Sequence, residues 1–275
     1  MAFLERLINF GNSLPGVVSQ GLIWGVMAIG LFITFKILNL SDLTVDGSFC
    51  TGGAVCIVMM AMGIPNNIAA WFDLWLPSWL AWFGALVSMW VPVLCAFLAG
   101  MVTGAITGFL HTTCKIPAIL AGILTQLGLW TINMFVMGLK SGELISTLTI
   151  PARNSTPLVS AMNLSKSLDG SKPLILYPPL IMAIITIVVI AVLYWFFGTE
   201  RGASIRATGA NENMARAQGI NTNVNKMIGL MLANGFVAFS GALFAQYNGN
   251  AEINMGRGAI VIGLAAIIIG DVLFG

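Results

Sequence analysis

Charge is what this 275-residue chain has least of: 8% of its residues are Asp, Glu, Lys or Arg, while 58% are hydrophobic. An ordinary soluble domain carries roughly a quarter charged residues, so the polar groups here are too few to cover a water-facing globule. The solvent has to be lipid, and the chain reads as an all-α, polytopic membrane protein in contact with a bilayer. Histidine is nearly missing too. His111 stands alone at the junction of a span and its loop, which excludes an HExxH zinc motif, and no Ser/His/Asp order appears. Cys50, Cys56, Cys95 and Cys114 lie in or beside apolar runs without paired ligand spacing. They read as small buried hydrophobes, and no metal site is expected. Gly138, Lys140 and Ser141 fall short of a P-loop. A net charge of +2 with no basic stripe among aromatics leaves no case for a nucleic-acid partner. Nothing in this set supports an enzyme.

What the chain has in abundance is apolar runs of membrane-crossing length, about 20 residues each. They fall near Val17–Leu38, Phe49–Ile64, Trp82–Leu110, Ile116–Leu139, Leu174–Phe197, Met227–Tyr247 and Ala259–Phe274. The first is too long for a secretory signal. Ahead of it, Phe3, Leu4, Leu7, Ile8 and Phe10 with Glu5 and Arg6 predict a separate short interfacial helix. Between Asn66 and Phe83, Trp71, Trp75, Trp79 and Trp82 recur at helical spacing around Asp73 and Pro77. An interfacial helix with an aromatic belt fits this stretch better than another span. Gly100, Gly104 and Gly108 align on one helix face, as do Gly21 and Gly25, and such faces let neighbouring backbones approach.

Positive charge is concentrated in one place. Thr199–Lys226 gathers Arg201, Arg206, Arg216 and Lys226, which marks it as a cytoplasmic loop. Alternation then puts 140–172 outside, His111–Lys115 inside and the N-terminus outside. Within the basic segment Asn211 can N-cap a helix over Glu212–Gln218, and Gly219 can supply a left-handed stop. A helix that short needs a surface to lie on.

Two spans run into polar, glycine-bearing breaks. One is residues 38–49, LNLSDLTVDGSF, and the other residues 248–259, NGNAEINMGRGA. Each unit reads as helix, break, helix, and their separation along the chain makes them opposite in direction. That is the pattern of an inverted repeat whose broken helices meet around a pathway. Asp42, Thr44, Asp46, Gly47 and Ser48 from the first break, and Glu252, Asn254 and Gly256 from the second, are the candidate pathway residues. Asp42 and Asp46 are expected to cap the helix starting near Ser48.

These motifs resemble a known family. Arg206-Ala-Thr-Gly-Ala-Asn211 followed by Met214-Ala-Arg-Ala-Gln-Gly-Ile220 resembles the RAxGxN…AAxxxGI loop of ABC importer permeases of the branched-chain amino acid and ribose group. Asp42-Leu-Thr-Val-Asp46-Gly-Ser48 resembles the IDLSVGS segment of its sugar members. DLTVDGSF, with Ile260-Val-Ile-Gly-Leu and Ile269-Gly-Asp-Val-Leu-Phe274, is most similar to a subgroup associated with tryptophan and tyrosine uptake. The resemblance implies a type II-like permease, one transmembrane domain over 1–275, in a bacterial cytoplasmic membrane. It implies pairing with a second permease copy, a cytoplasmic ATPase dimer carrying the ATP and magnesium, and an extracytoplasmic substrate-binding protein. No cofactor is expected in this chain. Arg206, Gly209, Asn211, Glu212, Met214, Ala215, Arg216, Ala217 and Gly219 would form the coupling helix region against the ATPase, with Ala215 on the docking face. Glu143, Arg153, Lys166 and Lys172 would be docking charges for the binding protein. Met214 and Arg216 stand where the family often has small residues. The family usually continues past the point matching Gly275, so a further segment is expected.

The reading that follows is the membrane subunit of an importer for amino acids, aromatic ones favoured, with a sugar or other small solute as alternative cargo. A stand-alone secondary transporter is the competing class. It would need ionisable groups facing the pathway deep in the spans, whereas Asp42, Asp46, Glu252 and Asp271 sit at breaks and ends.

Overall fold

The computed structural model describes residues 2–65, 67, 81–139, 142–149 and 177–274. Every predicted apolar run in that set is helical. In chain order these are α1 (Ala2–Phe32, continued by a π-helical turn, Ile33–Ile37), α2 (Val45–Ala61), α3 (Ala81–Thr112) and α4 (Ala118–Gly138). After strand β1 (Thr147–Thr149) come α5 (Tyr177–Gly198), the shorter α6 (Glu200–Ala210) and α7 (Glu212–Ala217), then α8 (Thr222–Asn248), strand β2 (Asn250–Glu252) and α9 (Ala259–Phe274). Segments of α1, α3, α4, α5 and α8 are long and apolar enough to cross a bilayer, while α2 and α9 are shorter.

Burial within the chain ranks these helices. The apolar window of α8 is 72% buried and that of α5 only 22%, so α8 is the central post and α5 lies outermost. Small side chains explain why α8 can be surrounded. The glycine face of α3 lies flat on it: a Cβ at Gly104 would collide with the backbone of Leu230, and one at Gly108 would sit 3.1 Å from Met227 Cα. On α2, Gly52 meets the backbone of Ala238, and Gly241 of α8 meets that of Phe49. The expected packing role of Gly100, Gly104 and Gly108 is therefore seen. That of Gly21 and Gly25 is not, since both face open space and Gly30 makes the close approach to α8 instead. Trp24, Phe49 and Phe244 lock α1, α2 and α8 together with ring centroids 5.4–5.7 Å apart.

Both breaks fold as interruptions between helices. The first follows the π-turn, where Asn39 takes a left-handed conformation (φ 54°) that asparagine tolerates better than most residues. The second begins at Gly249 (φ 74°) and ends at Gly258 (φ 79°). α1 finishes where α8 starts: Gly209 of α6 lies against Ile37, and Lys36 pairs with Asp271 at the far end of α9. The two helix–break–helix units thus run in opposite directions, and α2 and α9 return into the bundle so that their N-termini meet. At the other end β1 pairs antiparallel with β2, Leu148 opposite Ala251. The described part of 140–172 therefore lies at the opposite end from the basic segment.

Two expectations change. The N-terminal stretch is no separate interfacial helix: α1 is continuous from Ala2. The helix runs through the turn formers Gly11, Asn12, Ser13, Pro15 and Gly16, and Pro15 removes only one backbone donor. The basic segment, read as a loop with one short helix, holds a second helix before Asn211. α6 occupies Glu200–Ala210, its start capped by Thr199 Oγ1, which accepts from Gly202 N at 3.4 Å. Most of the Trp-rich stretch 66–83 lies outside the described residues.

Candidate functional site

The basic segment folds into a clamped hairpin of short helices. Asn211 Oδ1 accepts from Met214 N at 3.1 Å, starting α7, and Gly219 (φ 80°) ends it. Its first residue does more than favour the helix dipole. Glu212 Oε2 accepts from Lys226 Nζ at 2.7 Å, while Oε1 accepts from Arg216 at 2.6 Å and from Thr222 Oγ1 at 3.2 Å. Arg216 Nε also donates to Thr222 Oγ1 at 2.9 Å. One carboxylate thus ties α7 to the first two turns of α8. The Lys226 hydrogen bond, with the added charge of Arg216, holds the Glu212 carboxyl below its ordinary range.

This clamp decides which face α7 presents. Ala215 is 2% exposed, so its expected place on the docking face is corrected: its side chain is turned into the protein. Met214 is 60% exposed, and Arg206, Arg216 and Ala217 also face outward. Gly209 has a packing role, because any side chain there would strike Ile37. Between this hairpin and the end of α3 lies a cleft of about 540 Å³ lined by His111, Lys115, Glu212, Arg216, Asn221 and Lys226.

The helix-break residues separate into two clusters. In the first, Asp42 is fully buried. Its Oδ1 accepts from Thr44 N at 2.8 Å and its Oδ2 from Asn234 Nδ2 at 2.7 Å. Asn234 Oδ1 accepts from Ser48 Oγ at 2.6 Å, and Ser48 Oγ lies 2.8 Å from Thr103 Oγ1. Thr44 Oγ1 lies 2.8 Å from Thr107 Oγ1. Asp42 therefore fastens the start of α2 to α3 and α8, as a buried charge requires. Sequence reasoning missed Asn234, Thr103 and Thr107. Their signal was available: polar residues inside apolar spans, with the two threonines one helical turn apart beside the glycine stripe.

The second cluster corrects an expectation. Asp46 does not cap its own helix. Its Oδ1 accepts from Ile260 N at 3.0 Å and its Oδ2 from Gly258 N at 3.3 Å, so it caps α9. Gly256 packs on the backbone of Asp46, and a Cβ at Gly47 would lie 3.3 Å from Gln126 Cα of α4. Glu252 and Asn254 are exposed and, among the described residues, join neither cluster through their side chains. Arg257, next to the capped turn, places its guanidinium carbon 5.9 Å from the Trp130 ring centroid. Of the expected binding-protein docking charges, Glu143 is exposed beside β1, while Arg153, Lys166 and Lys172 lie outside the described residues.

Known proteins share this sequence pattern. Residues 13–275 match the family described as branched-chain amino acid transport system / permease component. A tyrosine transport system permease protein of Clostridioides difficile is 32% identical over 264 residues, covering 96% of this chain and 74% of that protein. An uncharacterised protein of Rickettsia prowazekii is 32% identical over 263 residues, covering 96% and 78% respectively. An autoinducer 2 import system permease protein of Yersinia pseudotuberculosis is 30% identical over 194 residues, covering 70% and 48%. No solved structure matches the chain.

Proposed function

The chain belongs to the branched-chain amino acid transport system permease family, and from that premise we propose that it is the membrane subunit of a binding-protein-dependent ABC importer for amino acids, aromatic ones favoured. It pairs with a second permease copy and with a cytoplasmic ATPase dimer, which holds ATP and magnesium and performs the hydrolysis. An extracytoplasmic protein delivers the cargo. The tyrosine permease relative supports the cargo class, and the autoinducer 2 relative keeps a sugar-like solute as the alternative.

The observation that carries this reading is the geometry of α7. A six-residue helix has little stability of its own, yet three donors hold Glu212 and fix the helix against α8 with Met214 outward. Such an element transmits a push from a docked partner into the central post. ATP binding closes the ATPase dimer, α7 follows, and α8 carries the movement to the breaks. Asp42, the buried carboxylate that a proton-coupled carrier would use, has both oxygens engaged by donors, which disfavours the secondary-transporter reading.

Met214→Asp places a charge on the exposed face without touching the clamp. The expected outcome is normal membrane insertion and thermal stability, with loss of copurifying ATPase and of uptake. Wild-type uptake by this variant overturns the coupling role of α7.

A further inference from the structure

Three chemically distinct groups converge where α2 and α9 meet. Asp46 is half-buried and accepts one backbone N–H on each oxygen, leaving a lone pair on each. Arg257 is exposed and, among the described residues, forms no ion pair. Trp130 is 46% exposed and lies beneath the Arg257 guanidinium.

Their depth follows from helix geometry. At 1.5 Å per residue, Trp130 stands about 18 Å along α4 from Ala118, at the end bearing the basic segment. Along α9, the start beside Gly258 stands about 18 Å from Asp271, which pairs with Lys36 at that same end. Along α2, Asp46 lies about 22 Å from Ala61 at the opposite end. Three helices thus place the cluster near the middle of the bilayer. A half-buried carboxylate and an exposed guanidinium at that depth cannot face hydrocarbon, so they face a water-filled or protein-lined path.

We propose that Asp46, Arg257 and Trp130 form a transit site for an aromatic α-amino acid, an assignment that rests on the importer reading and specifies how its cargo is held. Arg257 takes the α-carboxylate, Asp46 takes the α-ammonium, and the exposed indole face of Trp130 stacks on the cargo ring. An α-amino acid carries its two charges on groups bonded to one carbon, and here Arg257 immediately precedes Gly258, whose N–H donates to Asp46. The same contact couples occupancy to conformation: an ammonium bound at Asp46 competes with the N–H groups of Gly258 and Ile260, loosening the junction of the two half-helices.

The test is saturation-transfer NMR on the full chain in lipid nanodiscs, with L-tyrosine, tyramine (no carboxylate) and 3-(4-hydroxyphenyl)propionate (no amine) as probes. Wild type should bind L-tyrosine weakly and each analogue about tenfold more weakly still, the loss of one charge-assisted hydrogen bond. Arg257→Gln should abolish the preference for tyrosine over tyramine while leaving tyramine binding unchanged, and Arg257→Lys should restore part of it. Trp130→Ala should weaken all three probes and Trp130→Phe should rescue them. Arg257 and Trp130 are exposed, so these variants should keep wild-type thermal stability. The site is overturned if wild type binds no L-tyrosine at millimolar concentration, or if Arg257→Gln keeps the preference over tyramine. Should that happen while uptake still depends on Met214 and on ATP, the importer reading stands and the transit site alone fails. If the assembled transporter imports no amino acid, both fall.

Discussion

Asn234 is the residue on which the buried polar network depends, because it is at once donor to Asp42 and acceptor from Ser48. Replacing it with leucine strips a buried carboxylate of one donor and leaves a buried hydroxyl without its strongest acceptor. Leaving such buried polar groups unsatisfied costs about 1–3 kcal/mol each. Asn234→Leu should therefore lower the thermal midpoint of the purified protein clearly, whereas Asn213→Leu, on the exposed face of the basic segment, should leave it unchanged. Equal midpoints would mean that the network is a bystander. Asp46 works differently: it bonds a helix more than 200 positions away, so its first effect is on how α2 and α9 meet. Single residues thus hold the two broken units in register at two depths.

At the scale of elements, the central relation is between α7 and α8, joined through Glu212. Its folded-state pKa is lowered, so the clamp's contribution is fully present above the ordinary glutamate value of about 4.3. It is lost as pH falls through the lower folded value. Across the physiological range the hairpin should therefore be insensitive to pH. A nitroxide at position 213 should be immobile from pH 8 to 5 and become mobile only in acid below about pH 4. In Glu212→Gln it should be mobile throughout, because Gln lacks the charge that holds Arg216 and Lys226. A mobility step near pH 6–7 would show that some other group controls the hairpin. Ala215 is buried, so a bulky residue there should displace α7, a structural defect rather than a clean loss of partner binding.

For the whole molecule, the two ends are chemically different. One carries α6, α7 and the cleft of His111, Lys115 and Arg216; the other carries β1 paired with β2. If the first end is cytoplasmic, a cysteine at position 213 should react with an impermeant maleimide only in inside-out vesicles. One at position 147 should react only in right-side-out vesicles. Cys114 is exposed, so it is first replaced by serine. The reverse labelling pattern would invert the topology and place α7 beyond reach of any ATPase.

The sequence by itself determined that this is a multi-span helical membrane protein, where its apolar helices fall, and that Asn211 caps α7 and Gly219 stops it. These are local or additive properties: a long apolar run has one stable solvent, and a cap bonds a group three residues away. The breaks at 38–49 and 248–259 were legible for the same reason, since polar and glycine residues interrupt the apolar pattern. What only the tertiary structure decided is what those residues touch. Helical periodicity does not say that Ala215 is buried or that Asp46 caps α9 rather than α2. Nor does it bring Asn234 under Asp42 or Arg257 over Trp130. Those contacts join residues far apart in the chain, and their geometry is set by how closely the glycine faces let the helices approach around α8.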